Sequence, residues 1–377
     1  MLMKYVLLLF VFLLQSFSVQ SQFREHLEKE ISKIIYYDTD IDHEKIPGYI
    51  IAVQFGDSTY VYSYGSTTKD SINQPSGTSI FEIGGLTKVF TASLVNILVD
   101  EGILHYDSTL NSYLDPSDRS PFAHQLTIKD LVQHTSGLPR MPMEFGLKEK
   151  ELNNPYAHYT NKDLINFYKN YYIEANEKMG YLYSHVNYAL LDLVIKKVTG
   201  KTLNNVFQEK LFDPLNMKDT QLGMLTSEQQ SRMVQGYSMS GKETPFWRFQ
   251  SFHGSEGLKS TANDLLQFTR ANLPNADQLF DPVLAKSLAY NHQAFVDTKM
   301  RHETYAGNGW HIMQMRRYYD VILHAGATNG CRAFLGFVKE NNTGVVVLSN
   351  SKHGTDGLGI LILRMINFNW KKKKKKG

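Results

Sequence analysis

The stretch Phe81-Glu82-Ile83-Gly84-Gly85-Leu86-Thr87-Lys88-Val89-Phe90-Thr91-Ala92, FEIGGLTKVFTA, decides the reading of this chain. It predicts an apolar strand end, a turn of small residues, and a helix whose first turn carries Lys88. After Gly85 the apolar positions Val89, Phe90, Leu94, Ile97 and Leu98 recur at helical spacing, and Gly102 stops that helix. A snorkelling surface lysine is the simpler account of Lys88, but its apolar surroundings favour a buried one. A buried lysine there usually serves a nucleophile three residues earlier, on the same helix face. That position is Gly85, which has no side chain.

Upstream, YIIAVQF (Tyr49 to Phe55) and YVYSY (Tyr60 to Tyr64) are β-branched and aromatic runs around Gly56-Asp57, a hairpin signal. Downstream, helices are expected over Ile128 to His134, Asn161 to Tyr172, Val186 to Thr199, Leu203 to Leu211 and Ala262 to Asn272. Strands return over Tyr319 to His324, Arg332 to Val338 and Gly344 to Ser349, followed by a helix from Leu358 to about Phe368. Strands at both ends with helices between predict an α/β (α+β) fold: one mainly antiparallel sheet flanked by helices, beside an inserted helical lobe. The expected division is an α/β lobe from 22–102 and 253–370, and a helical lobe at 103–252. The cleft between lobes is the default ligand site.

The first 21 residues read as a signal peptide: Lys4, an apolar run from Val6 to Leu14, then small residues Val19 and Ser21 before a start near Gln22. The run is too short to span a bilayer, so no stable membrane anchor is expected after cleavage. The expected location is exported, periplasmic or secreted. Cys331 is the single cysteine, so the chain forms no disulfide within itself. The tail at 371–377, six lysines and Gly377, reads as a solvated disordered segment or an engineered appendage. Without those six, Lys+Arg falls from 40 to 34 against Asp+Glu 37, so no nucleic-acid partner is expected. The histidines are scattered and no phosphate loop occurs, so neither a metal nor a cofactor is expected.

Three segments carry the chemistry. Gly85-Leu86-Thr87-Lys88 opens a helix, Tyr183-Ser184-His185 precedes another, and His324-Ala325-Gly326 ends a strand before Ala327-Thr328-Asn329-Gly330. In that order they resemble the serine β-lactamase and penicillin-binding-protein superfamily. The class-C-like branch, with its β-lactamases, D-aminopeptidases and esterases, is the nearest. LVQHTSGLP (Leu131 to Pro139), FDPLNMKDT (Phe212 to Thr220), GLKSTANDLLQF (Gly257 to Phe268), GNGW (Gly307 to Trp310) and VVVLSNS (Val345 to Ser351) extend the resemblance over most of the chain. Each segment is weak alone; the ordered set is specific.

The resemblance implies a Ser-x-x-Lys nucleophile and base, a tyrosine that relays protons, and a strand that borders the acyl group. Carried over, Gly85 stands at the nucleophile, Lys88 is the base, Tyr183 the second base and His324 the wall. His185, Gly326, Ala327 and Thr328 are the substrate-binding candidates. The backbone N–H groups of Gly85 and Ala327 would hold the oxyanion. Two positions depart from the pattern: Gly85 replaces the serine and His185 the usual asparagine. Losing the nucleophile of a serine hydrolase costs on the order of 10⁶ in turnover.

No replacement nucleophile stands out. Ser66-Thr67-Thr68-Lys69 follows a strand rather than opening a helix, Ser76 and Ser79 precede the strand end, Ser136 reads as a loop former, and Cys331 as a buried structural thiol. A core tyrosine at 183 and a core histidine at 324 are the ordinary alternatives. Three functions follow. The first is a pseudoenzyme that binds a small-molecule or peptide ligand through its carbonyl group. The second is a hydrolase of esters, amides or peptides in which Lys88 and Tyr183 activate water. The third is a deliberate serine knockout of an active enzyme.

Overall fold

The hairpin around Gly56-Asp57 forms one edge of an eight-stranded sheet in which every neighbouring pair is antiparallel. This computed structural model describes residues 21–37, 46–123, 125–146, 154–172, 180–300, 303–315, 318–354 and 356–374. The chain divides into two units, Met1–Asp42 and His43–Gly377. In the first, residues 21–37 form helix α1, with Leu27, Ile31, Ile34 and Ile35 at helical spacing. Residues 1–20 of the expected leader lie outside the described residues. No described helix is long and apolar enough to cross a membrane.

The second unit holds everything else. Its strands are β1 (Gly48–Phe55), β2 (Ser58–Gly65), β3 (Ile80–Glu82), β4 (Lys259–Thr261), β5 (Val296–Asp297), β6 (Thr304–Ala306), β7 (His311–Met315), β8 (Tyr319–Ala327), β9 (Arg332–Val338) and β10 (Thr343–Ser349). The large sheet runs β2-β1-β10-β9-β8-β7-β6-β5, and β3 pairs with β4 separately. Its helices begin with α2 (Thr87–Asp100), α3 (Leu110–Tyr113), α4 (Ile128–Val132), α5 (Asn161–Asn170) and α6 (His185–Thr199). They continue with α7 (Leu203–Phe207), α8 (Ser227–Ser231), α9 (His253–Glu256), α10 (Ala262–Ala271), α11 (Pro282–Tyr290) and α12 (Asp356–Lys374).

The centre of the sheet is apolar on both sides because helices cover both. Gly336 of β9 backs against Leu363 of α12, whereas Gly344 of β10 backs against Thr269 of α10. Gly336 pairs with Val345, the residue after Gly344, so the two helices lie on opposite faces. Buried Ile50–Val53 and Val345–Leu348 therefore read as continuous hydrophobic runs instead of alternating ones. Helix α2 is buried from Thr87 to Leu98 and packs against α6, α9 and α11, which explains why its apolar residues surround it. It ends where predicted, with Gly102 in the left-handed region at φ 71°.

Several boundaries differ from the sequence expectation. Strand β8 does not stop at His324 but continues to Ala327, because Gly326 and Ala327 still pair with Ala333 and Arg332 of β9. The helix expected over Leu203 to Leu211 is α7 followed by a wider π turn, Gln208–Phe212. The last helix starts at Asp356 and enters the lysine run, reaching Lys374. Lysine is a good helix former, and cations suit a helix C-terminus. Strands β3 to β7 are too short to leave a period in the sequence.

Candidate active site

Gly84, Gly85 and Leu86 form one 3-10 turn that feeds directly into α2. Gly84 sits at φ 48°, a conformation that suits glycine, and a Cβ there would lie 2.6 Å from the Ala327 carbonyl oxygen. A Cβ on Gly326 would overlap the Ile83 carbonyl oxygen and lie 3.0 Å from Gly85 N. The first turn before α2 and the end of β8 thus meet backbone to backbone. Thr87 fixes the turn from the other side: its hydroxyl donates to Gly84 O at 2.7 Å and accepts from Leu258 N at 3.1 Å.

Gly85 differs from both neighbours. Its backbone needs no left-handed φ. A Cβ there would meet Tyr183 OH at 3.4 Å, Ala325 O at 3.5 Å and Glu256 Oε1 at 3.5 Å, ordinary van der Waals distances. A side chain fits at position 85, and it would point into a cluster of polar groups.

Lys88 is that cluster's cation. It is fully buried, and its ammonium donates to Glu256 Oε1 at 2.6 Å and to Ser255 O at 3.1 Å. Its Nζ also lies 5.2 Å from the centre of the Tyr183 ring. His185 Nδ1 contacts the same Glu256 oxygen. One Nδ1 proton cannot serve the carboxylate while that nitrogen accepts from Lys88, 3.4 Å away, so the donor tautomer toward Glu256 is the consistent one. Oε2 of Glu256 makes no hydrogen bond to the described residues. Burial pushes the Glu256 carboxyl up, but the charges and hydrogen bonds of Lys88 and His185 outweigh it and hold it down to about 2. Burial lowers Lys88, and Glu256 opposes that shift. With Glu256 ionised, the contact is a buried ion pair.

The short helix α9 is what brings Glu256 here. Thr91 of α2 donates to Gly254 O at 2.6 Å, Lys88 holds Ser255 O, and Gly254 leaves room for Tyr188 and Asp192 of α6. Tyr183 is placed by its own loop. Leu182 N donates to His134 O at 2.8 Å, Ser184 N to His134 Nδ1 at 3.0 Å, and His185 N to Arg140 O at 3.0 Å. Ser184 then caps α6 by accepting from Asn187 N. Tyr183 OH and His324 Nε2 stand 3.5 Å apart, the outer limit of a hydrogen bond.

Three residues that the sequence did not mark complete the surround. His311 on β7 stacks on His324 with ring centres 5.5 Å apart, and its Nε2 is 2.7 Å from Tyr181 OH. His134 packs against the Tyr183 ring at 4.6 Å. The Arg140 guanidinium lies 5.3 Å from the centre of that ring. Burial drives His134 and His324 well below the ordinary imidazole range, helped by neighbouring cations, and drives His311 to about 4. His185 is lowered for the same reason, against the pull of Glu256. Burial raises Tyr183, and the Glu256 charge raises it further.

The structure therefore brings Gly85, Lys88, Tyr183, His185, His324 and Gly326 together. Ala327 adjoins Gly84 through its backbone. Thr328, a substrate-binding candidate in the sequence, spends its hydroxyl on the following turn, accepting from Cys331 N at 3.0 Å and Gly330 N at 3.3 Å. The rejected nucleophiles stay apart. Ser66 lies in a loop, Lys69 turns to Gly241 O, Ser136 bonds Asn187, and the Cys331 thiol is buried and raised by that burial. Glu256 was missed. A single carboxylate among the small residues of HGSEG leaves no periodic or motif signal. Among the described residues no group of three His, Cys, Asp or Glu is placed to hold a metal.

Known proteins share this fold and part of this sequence. The chain is 25% identical over 356 residues to Penicillin-binding protein 4* of Bacillus subtilis, covering 88% of this chain and 73% of that one. It is 23% identical over 340 residues to the D-alanyl-D-alanine-carboxypeptidase/endopeptidase AmpH of Escherichia coli, covering 84% of each. Against an unguisins hydrolase of Aspergillus campestris it is 23% identical, and the match spans 89% of this chain but only 64% of the relative. The fold superposes on a class C β-lactamase of Rhodobacter sphaeroides with a TM-score of 0.75 at 19% identity, covering 92% and 99% of the two chains. The Beta-lactamase family model matches residues 23–364, and the chain belongs to that family.

Proposed function

We propose that this chain is an exported, ligand-binding member of the family that forms no acyl-enzyme. The observation that carries the reading is the pair of Gly85 and Lys88: position 85 offers no nucleophile, and Lys88 is closed on Glu256 at 2.6 Å. A lysine acts as a base only when neutral, and an ionised carboxylate at that distance stabilises its ammonium form. The ligand is a small molecule or peptide whose carbonyl enters the inter-lobe cleft beside Gly85, Tyr183 and His324. The name of one relative, a D-alanyl-D-alanine-carboxypeptidase/endopeptidase, supports a peptide ligand. The apolar run from Val6 to Leu14 supports export.

The Glu256 carboxylate supports a second reading. Water in the space beside Gly85 would attack a bound carbonyl directly, with Glu256 or Lys88 taking its proton. A carboxylate held at about 2 is a weak base at neutral pH, which places this reading behind the first.

Assays of ester, D-amino-acid amide and β-lactam hydrolysis on the chain lacking its leader separate the two. The binding reading expects no turnover and no mass adduct. Turnover that disappears in Lys88→Ala would sink it in favour of the water route.

A further inference from the structure

We infer that Glu256 is a second determinant of silence at this site: its carboxylate takes over Lys88 as partner, so a nucleophile at position 85 regains reactivity only when Glu256 is also replaced. The inference rests on the proposed reading of position 85 as the place of a lost nucleophile.

Three observations carry it. Glu256 Oε1 stands 3.5 Å from where a Cβ at position 85 would be, so carboxylate and nucleophile would share one small volume. The same oxygen takes both the Lys88 ammonium and His185 Nδ1, which stand at the lysine of Ser-x-x-Lys and the asparagine position of Tyr-x-Asn. And the backbone that carries Glu256 is tied in place: Thr91 holds Gly254 O, and Lys88 holds Ser255 O, the residue beside it. The groups facing Lys88 are then Glu256 on α9, His185 on α6, Tyr183 and His134 on the loops, Arg140 at the rim, and His324 on β8. Only Glu256 supplies negative charge among them. An introduced seryl hydroxyl would face an ammonium that has no free pair of electrons for its proton.

A fluorophosphonate reports on this. In the reaction the seryl O–P bond forms as the P–F bond breaks, fluoride leaves, and the seryl proton goes to neutral Lys88 Nζ. Intact-mass labelling rates are measured from pH 6 to pH 9 for the full chain carrying Gly85→Ser, Gly85→Ser with Glu256→Gln, and Gly85→Ser with Glu256→Gly. Cooperative unfolding of each is checked alongside. The expected result is slow labelling at pH 7 that climbs toward alkaline pH for Gly85→Ser alone. Both double variants should label about 100-fold faster at pH 7, the scale of an available general base, with the rise shifted to lower pH. Glu256→Gln keeps the volume and removes only the charge, so agreement of the two doubles separates charge from packing.

Equal rates and equal pH profiles in single and double variants overturn the inference, as does absence of labelling in all three while they remain folded. Should both doubles unfold, a pH-independent rate in Gly85→Ser alone overturns it as well, and an alkaline rise supports it. Turnover by the unaltered chain would defeat the proposed function without touching this comparison, which depends on the variants alone.

Discussion

Gly84 and Gly326 lie at the same corner of the molecule as Gly85, yet they are glycine for another reason. At Gly84 the backbone is left-handed, and at Gly326 the neighbouring Ile83 carbonyl occupies the space of a Cβ. Both are dictated by two backbones in contact. At Gly85 the conformation is ordinary and a Cβ finds only van der Waals contacts, the nearest at 3.4 Å. Two of the three glycines hold the scaffold together; the third leaves room for a side chain. The frame of this site is therefore maintained independently of what stands at position 85, because different contacts hold each.

The sharpest test of that contrast is Gly326→Ala. The added methyl collides with main chain that cannot step aside, so the expected loss is above about 4 kcal/mol, read from chemical denaturation or from failure to obtain folded protein. A loss below about 1 kcal/mol would erase the distinction between the seam and position 85.

Next in size is the buried pair. Lys88→Met strands the Glu256 carboxylate and should cost about 3–5 kcal/mol, whereas Lys88→Met with Glu256→Leu should recover a large part of it. Additive losses in the double variant would show that the two residues do not act as a unit.

The pair also sets a pH dependence. Glu256 is held at about 2 in the fold, below its ordinary value of 4.5, so the unfolded chain binds more protons between those values. Its contribution is complete above pH 4.5 and is lost as the pH falls through that window toward 2. Thermal scans should show this acid limb in the natural chain and a weaker one in Glu256→Gln; identical limbs would assign the dependence to other carboxylates.

The smallest effect belongs to Gly85→Ala. Its Cβ has room, and removing glycine restricts the unfolded chain, so stability should rise or fall by no more than about 1 kcal/mol. The measurement is a denaturation midpoint. A large loss there would mean that the pocket at position 85 is tighter than its neighbours indicate.

How much of this was written plainly in the sequence depends on the range of each interaction. The β1–β2 hairpin, α2 and the β9–β10 pair follow local periodicity and turn chemistry, and they emerged within a few residues of their predicted ends. Lys88, Tyr183 and His324 were legible because each sits in a short ordered motif. Glu256 was not, since its meaning comes from Lys88, 168 positions away in the chain. His311 on a five-residue strand and His134 in a loop gain theirs in the same way, by packing on His324 and Tyr183. The end of β8 was misjudged because pairing with β9 carries the strand past His324 to Ala327, a continuation that local sequence does not signal.

The residues of the one-turn helix α9 nearest position 85 are tied to α2 or α6: Gly254 through Thr91, Ser255 and Glu256 through Lys88, and Glu256 again through His185. A ligand that draws the Lys88 ammonium toward itself loosens the clasp on two adjacent residues at once. Any guest held beside Lys88 would thus be mechanically joined to the security of this helix, and hydrogen exchange at the amides of Ser255 and Glu256 would register it even where no bond is made or broken.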